Sequence, residues 1–341
     1  MNASTWFVPG RIEVFGKHTD YGGGRSLLAA TEQGIRLAGR RTCDTHVTVT
    51  SAHGGSHYVD TVVRGMRADF GPPPSGAHIA VTTSLPVAAG LSSSSALVIG
   101  LVLVLADIWE LSLPTGPDLV EYIAGLERDV GVRGGAEDHA AILLGTRDAL
   151  LPCRFHPTRP EPAVPWPADQ TFVVAVSGVT AEKAGGARER YNRTAGVLEA
   201  IEGRGVLLGA LLDDPSLVEQ CAAELDLPAA RRLRQFVEES VVIIPAAADA
   251  VRCADWRRFG ELAERSHVLG REALGNAVPE TEALAHRARS LGAVAASPFG
   301  AGFGGSVWAV VPTDDARDFA ARWWPGETLI TRPGGAATRL T

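Results

Sequence analysis

The sequence predicts an α+β protein built from two domains, and three observations carry that prediction. A chain of 341 residues exceeds what one ordinary hydrophobic core organises. Strand-like and helix-like segments follow one another without a regular βαβ rhythm. Six prolines between Leu151 and Asp169 exclude a long helix there and mark a connection across a boundary. The expected division is 1–165 and 166–341.

Taken in order, Phe7–Phe15 alternates, is rich in β-formers and ends at Gly16, so it reads as a strand. His46–Ser51 and Ile79–Ser84 alternate too, which makes the first third strand-rich. Gly71–Gly76, with three prolines, reads as a loop, and Leu85–Gly90 as a turn. Four serines then lead into the apolar run Ala96–Ala106, a buried helix ended by Asp107 and far short of the ~20 residues that span a bilayer. Pro117–Arg128 has the pattern of an amphipathic helix, Val130–Gly135 is a glycine-rich break, and Asp138–Leu144 begins another helix. In the second half, Thr171–Ser177, Ser306–Val311 and Thr328–Thr331 read as strands. Arg231 to about Gly270 and Glu280–Leu291 read as helical, with Pro245 breaking the first.

Composition narrows the function classes. The chain is 45% hydrophobic and 21% charged, the profile of a soluble globular protein. Its formal net charge is -7 with no run of Lys or Arg, so nucleic acid and anionic membrane are not expected partners. A phosphate ligand stays open, because backbone N–H groups and one or two cations suffice to build such a site. Cys43, Cys153, Cys221 and Cys253 are scattered without CxxC spacing, which fits a reducing cytosol rather than zinc or disulfides. No secretory signal is visible at Met1–Pro9, so a cytoplasmic location is expected. Monomer and homodimer are both compatible with the sequence.

Three segments have the residue types of chemistry. The first runs Pro9-Gly-Arg-Ile-Glu-Val-Phe-Gly-Lys-His-Thr-Asp-Tyr-Gly-Gly-Gly24 and gathers Lys17, His18 and Asp20 directly after a strand. It is not a Walker A loop: five residues separate Gly10 from Gly16 where that motif has four, and His18 replaces its Ser or Thr. A hairpin with a solvated loop is the plain alternative. The second is Gly90, Leu91, Ser92, Ser93, Ser94 and Ser95 at the entry to the apolar helix. Unpaired N–H groups and the helix dipole there favour an anion, small side chains let a phosphate approach, and serine hydroxyls can ligate Mg²⁺. A serine N-cap is the alternative, although four serines exceed what a cap needs. The third, Gly300-Ala-Gly-Phe-Gly-Gly305, matches GxGxxG at Gly300, Gly302 and Gly305. A strand follows it rather than a helix, which rejects a dinucleotide fold and leaves a glycine loop near a ligand or a tight turn. Glu137 and Asp138, after a glycine break, are by themselves ordinary dipole compensation at a helix start.

In this order and spacing the segments resemble the three signature motifs of the GHMP kinases. Pro9-Gly10-Arg11, Gly16, His18-Thr19-Asp20-Tyr21 and Gly23 resemble the galactokinase signature. The serine loop resembles the family's phosphate loop, and Gly300–Gly305 its third motif. The resemblance implies a ribosomal protein S5 domain 2-like N-terminal domain, a ferredoxin-like C-terminal domain and an active site between them. It implies an ATP- and Mg²⁺-dependent kinase for a small-molecule sugar or sugar derivative, acting at the anomeric hydroxyl. Arg11 would stabilise charge on the transferring group, and Asp138 would accept or orient the hydroxyl proton. Ser94 and Glu127 would hold the metal, while His18, Asp20, Gly135 and Tyr191 map onto sugar-contacting positions. Where the family has Glu before His-Thr-Asp, this chain has Lys17, and Phe299 replaces a small polar residue. Lys17 either reads an acidic group, which points to a uronic acid beside a galactose-like hexose, or turns outward or pairs with Glu13 or Glu137. A cyclitol or polyol kinase of the same fold and a non-catalytic sugar and nucleotide sensor are the competing expectations.

Overall fold

The computed structural model describes residues 3–51, 56–86, 89–128, 134–179 and 187–341. Its elements run β1 (Ala3–Phe15), β2 (Arg25–Thr42), β3 (Val47–Ser51), α1 (Ser56–Phe70), β4 (Gly76–Thr83), α2 (Ser93–Trp109), α3 (Pro117–Arg128), α4 (Glu137–Leu144) and β5 (Ala149–Arg154). Two-residue strands β6 (Arg159–Pro160) and β7 (Val164–Pro165) lead into β8 (Gln170–Val176). The helices α5 (Ala187–Glu202), α6 (Leu208–Asp213), α7 (Val218–Ala223), α8 (Leu227–Glu238), α9 (Ile244–Arg252), α10 (Trp256–Leu274) and α11 (Pro279–Ser290) follow. The chain closes with β9 (Ala295–Phe299), β10 (Ser306–Pro312), α12 (Ala316–Trp323), β11 (Thr328–Thr331) and β12 (Thr338–Arg339).

The first sheet is built on β1 and β2, antiparallel from Ala3↔Arg40 to Phe15↔Leu27, with β4 and β5 also pairing β2. Helix α2 lies against this sheet and is apolar almost all round, because α1 and α3 cover the faces that the sheet does not. Its approach is close enough to require glycine on both sides. A Cβ on Gly100 would overlap Leu37, and one on Gly39 would overlap Val104. The second sheet, β11-β8-β10-β9, is wholly antiparallel. Its strands alternate with period two: Phe172, Val174, Trp308 and Val310 enter the main core, while Val173, Ala175, Val307 and Ala309 face α11 and α12.

The main core runs unbroken between the sheets. Phe15 meets Phe259 edge-to-face at 5.4 Å, Trp166 stacks on Phe172 at 4.6 Å, and Trp308 Nε1 donates to the Glu13 carbonyl at 3.2 Å. Strand β12 returns to pair with β1, so the last residues complete the first sheet. A cut at 165/166 separates Phe15 from Phe259 and β12 from its partner β1. Such a division remains a proposal about folding units.

Several expectations change. Strand β1 begins at Ala3, four residues before Phe7, and β4 begins at Gly76, inside the expected loop. The sequence pattern assigns no element to the 18-residue β2 or to helix α1, and in β2 Ala and Gly dilute the alternation of Leu27, Ile35 and Leu37. Pro245 does not break its helix. Without an N–H it cannot bond back, and a π turn over Glu239–Ile243 widens the backbone so that α8 runs directly into α9. The middle of the Leu85–Gly90 turn and most of Val130–Gly135 lie outside the described residues. Among the described residues, no helix is long and apolar enough to cross a membrane.

Candidate active site

The three signature segments meet in the space between the sheets. Arg11 leaves β1, 5% exposed, and its Nε donates to Asp138 Oδ1 at 2.6 Å. Its NH1 donates to the Gly90 carbonyl at 2.6 Å, and its guanidinium lies 6.0 Å from the Phe299 ring centroid. One side chain thus touches the serine loop, the acidic helix start and the strand leading to the third glycine segment. Burial works against the Arg11 charge, but Asp138 and then Glu137 outweigh it and raise its pKa. Asp138, with its side chain 26% exposed, goes the other way. Burial would raise it, yet Arg11 and the Ser92 hydroxyl hold it below the usual carboxylate range, so it stays ionised.

Helix α2 begins without a side-chain cap. Ser92 sits in the left-handed region at φ 58, and its hydroxyl donates to Asp138 Oδ2 at 2.6 Å instead of folding back onto the helix. No side chain therefore occupies the first-turn N–H groups, which tips the choice between a serine cap and an anion site toward the latter. Gly90 has φ 67 and open space where a Cβ would stand, with Gly305 at its edge. Ser93 is exposed and Ser94 half-buried.

The serine hydroxyl that stands against Glu127 is that of Ser95. Ser95 Oγ donates to Glu127 Oε1 at 3.2 Å and to Asp138 Oδ2 at 3.3 Å. Ser95 points back under the loop, one residue later in the helical turn than the sequence reading placed it. Glu127 Oε2 lies 2.8 Å from His139 Nε2. Among the described residues, no three or more His, Cys, Asp or Glu side chains form a metal cage. A hydroxyl and one carboxylate fit Mg²⁺, which takes few protein ligands and completes its shell with water and phosphate oxygens.

The residues to which the resemblance assigns sugar contact, His18, Asp20, Gly135 and Tyr191, also come together. His18, in the left-handed region at φ 58, has Nδ1 3.1 Å from the Tyr21 hydroxyl and Nε2 3.2 Å from the Ala301 carbonyl. The Tyr191 ring, on α5, stands 5.1 Å from it. Burial, then the Arg232 charge, push the His18 pKa down to about 3, so the ring is neutral. Asp20 Oδ2 accepts the Glu137 N–H at 3.3 Å, and a Cβ on Gly135 would overlap that carboxyl. Burial raises the pKa of Asp20, and burial followed by Asp20 and Glu13 raise Glu137 well above its ordinary range. In the third segment, a Cβ on Gly300 (φ 77) would stand 3.5 Å from the Gly90 carbonyl, and one on Gly302 (φ 77) would overlap Asn276.

Lys17 is the main departure from expectation. It is 7% exposed, and its ammonium donates to the Pro298 carbonyl at 2.9 Å with Glu13 Oε1 at 4.0 Å. Of the two sequence readings, the paired one matches this geometry. Burial raises Glu13 to about 7 despite Lys17.

Four contributors escaped sequence reasoning. Arg232, 1% exposed, donates through NH2 to the His18 carbonyl and to the Tyr21 hydroxyl at 3.2 Å. Gln235 donates to the Lys17 carbonyl at 3.1 Å, and Asn276 to the Ala301 carbonyl at 3.2 Å. Glu239, fully buried, accepts from the Gly16 N–H at 2.9 Å and the Ser266 hydroxyl at 2.7 Å. Arg232 and Gln235 show in the sequence only as polar side chains on the inward face of α8, and Asn276, in the loop after α10, gives no such signal.

Comparison with known proteins gives the family. Residues 2–41 match the galactokinase galactose-binding signature, 57–146 the GHMP kinases N terminal domain, and 246–327 the GHMP kinases C terminal domain. The chain is 30% identical to a galactokinase of Chloroflexus aurantiacus, over 95% of this chain and 88% of that one. Its fold is similar to that of Lactococcus lactis galactokinase complexed with galactose, with a TM-score of 0.88 at 24% identity, over 99% of this chain and 95% of that one. It is also similar to L. major mevalonate kinase in complex with R-mevalonate, with a TM-score of 0.68 at 18% identity, over 97% and 96%.

Proposed function

Because the chain belongs to the GHMP kinase family, on its galactokinase branch, we propose that it moves the terminal phosphoryl group of ATP to the anomeric hydroxyl of a galactose-like hexose. The observation that carries this reading is the Arg11–Asp138 pair, set between a helix N-terminus without a side-chain cap and the His18–Asp20 turn. Asp138 is ionised and takes or orients the proton of the attacking hydroxyl. Arg11 places a fixed cation where charge gathers on the transferring group. The new bond joins the sugar oxygen to the γ-phosphorus, the bond to the β-bridging oxygen breaks, and ADP leaves. Phosphoryl transfer asks mainly for positioning and charge neutralisation, which these groups supply.

Ser95 and Glu127 would hold Mg²⁺, which supplies neutralisation of the nucleotide phosphates when bound. The N–H groups of Ser93 and Ser94, with Gly90 leaving room beside them, would cradle those phosphates. Asp20 would accept hydrogen bonds from sugar hydroxyls, with Gly135 keeping space above it, while neutral His18, held by Tyr21 and the Ala301 carbonyl, and Tyr191 line the side. A neutral hexose suits this pocket better than a uronic acid, since Lys17 is engaged inside the protein and Asp20, Glu137 and Asp138 surround the acceptor. The linked Arg11 and Asp138 favour catalysis over a sensor role.

The test is a Mg²⁺-ATP phosphorylation panel read by ADP release, holding galactose, glucose, galacturonate, glucuronate, amino sugars and cyclitols. Turnover of galactose above the acids supports the reading. Turnover confined to a uronate or a cyclitol would replace the proposed acceptor, and ATP binding with no turnover would favour a sensor.

A further inference from the structure

We propose that Lys17 is a positioning residue that joins the two lobes and fixes the Gly300–Gly305 loop over the acceptor pocket without touching the acceptor. The inference rests on the sugar-kinase reading above.

Lys17 lies two residues beyond the end of β1, and its ammonium crosses to the Pro298 carbonyl on β9, the strand that opens into the glycine loop. His18, the next residue, reaches the same loop at the Ala301 carbonyl, where Asn276 Nδ2 also lies 3.3 Å from His18 Nε2. Two consecutive residues of the first lobe thus grip positions 298 and 301 of the second. Phe299 and Gly300, which border Arg11, are held between those grips.

The surroundings of Lys17 are built for a cation. Glu13 Oε1 and Glu239 Oε2 are buried and make no hydrogen bond of their own. Glu239 is fixed by Gly16 and Ser266, and Lys17 is the first charge to act on both carboxyls. Removing the ammonium alone leaves those carboxyls uncompensated in a dry interior, the costly way to break a buried pair. Helix α10 makes room for the stem with Gly270, where a Cβ would stand 2.9 Å from Lys17 Cδ.

A residue acting this way has a signature different from one that reads substrate. In Lys17→Met, KM for galactose should rise about tenfold while KM for ATP stays within about twofold. The ratio of galactose to galacturonate turnover should not move, because Lys17 meets neither. The double variant Lys17→Met with Glu13→Gln should recover part of the stability lost in Lys17→Met but leave KM for galactose raised, since it removes a carboxylate together with its cation and does not restore the bond to Pro298. Gly270→Ala, which presses on the Lys17 stem from α10, should raise KM for galactose in the same direction by a smaller factor and keeps the test alive if Lys17→Met does not fold. Three results would overturn the proposal: an acceptor ratio shifted about tenfold in Lys17→Met, an unchanged KM for galactose, or a wild-type KM for galactose in the double variant. Wild-type turnover of galactose with any of these sinks the Lys17 assignment alone. Wild-type silence toward every sugar sinks the kinase reading, and this proposal with it.

Discussion

Arg11 donates from Nε to Asp138 Oδ1 at 2.6 Å while its NH1 is held by the Gly90 carbonyl at the same distance, so one guanidinium fixes both the acidic side chain and the serine loop. Neither contact is available to a lysine, whose single ammonium cannot span them in a planar fork. Arg11→Met is expected to lower kcat by about 10²- to 10³-fold, the usual cost of losing a preorganised charge. It should also lower the unfolding free energy by about 1–3 kcal/mol, since Asp138 loses its partner in a partly buried site. Steady-state kinetics beside urea unfolding would check both, and unchanged kcat would remove Arg11 from the reaction.

Ser95, rather than Ser94, stands against Glu127. Ser95→Ala and Glu127→Gln should each weaken the Mg²⁺ dependence of nucleotide binding, with the Mg²⁺ concentration at half effect rising about tenfold or more, whereas Ser94→Ala should change it little. Titrating nucleotide affinity against Mg²⁺ decides this without reference to turnover. The reverse order of the two serines would restore Ser94 as the ligand.

Gly135 lies against the Asp20 carboxyl, with no room for a Cβ. Gly135→Ala should displace Asp20 and raise KM for the sugar by about tenfold or more, leaving KM for ATP within about threefold. Equal increases in both constants would indicate a general distortion instead.

His18 gives the site a pH signature in its stability. Its folded pKa is pushed down to about 3 from 6.5, by burial first and Arg232 second. The unfolded chain therefore binds this proton first, so His18 contributes stability above pH 6.5 that drains away as pH falls toward 3. Between pH 6.5 and pH 5 the loss is about 2 kcal/mol. Glu13 acts with the opposite sign, since its folded pKa of about 7 exceeds 4.5 and it favours the folded state as pH falls. Comparing wild type with His18→Asn, which tolerates the left-handed backbone, cancels the Glu13 contribution. Urea unfolding at both pH values should show wild type losing about 2 kcal/mol more than the variant, and equal losses would contradict a buried neutral His18.

Much of this site was legible because its parts are local. Arg11, the His18–Asp20 turn, the four serines and Asp138 each sit in short segments whose chemistry shows in residue type and spacing. Strand β10 after Gly305 was equally readable, and it alone removed the dinucleotide alternative. What spacing does not carry is direction. Ser94 and Ser95 are indistinguishable in sequence, and only the helical turn decides which hydroxyl meets Glu127. Lys17 reads either as a substrate contact or as a partner of Glu13 or Glu137, and it is the bond to Pro298, 281 positions away, that places its ammonium inside the protein. Strand β2 is hidden for a different reason, since Gly39, which admits helix α2, interrupts its hydrophobic pattern.

The most direct test of the central claim is to incubate the wild-type chain and Asp138→Asn with Mg²⁺-ATP and galactose, and to follow the phosphorus by NMR. The account predicts a sugar phosphate ester at the anomeric carbon with wild type, none above background with Asp138→Asn, and nucleotide affinity in the variant within about threefold of wild type. A variant that makes the same ester at the wild-type rate would contradict the assignment of Asp138. A wild-type chain that binds both ligands and makes no ester would contradict the kinase account as a whole.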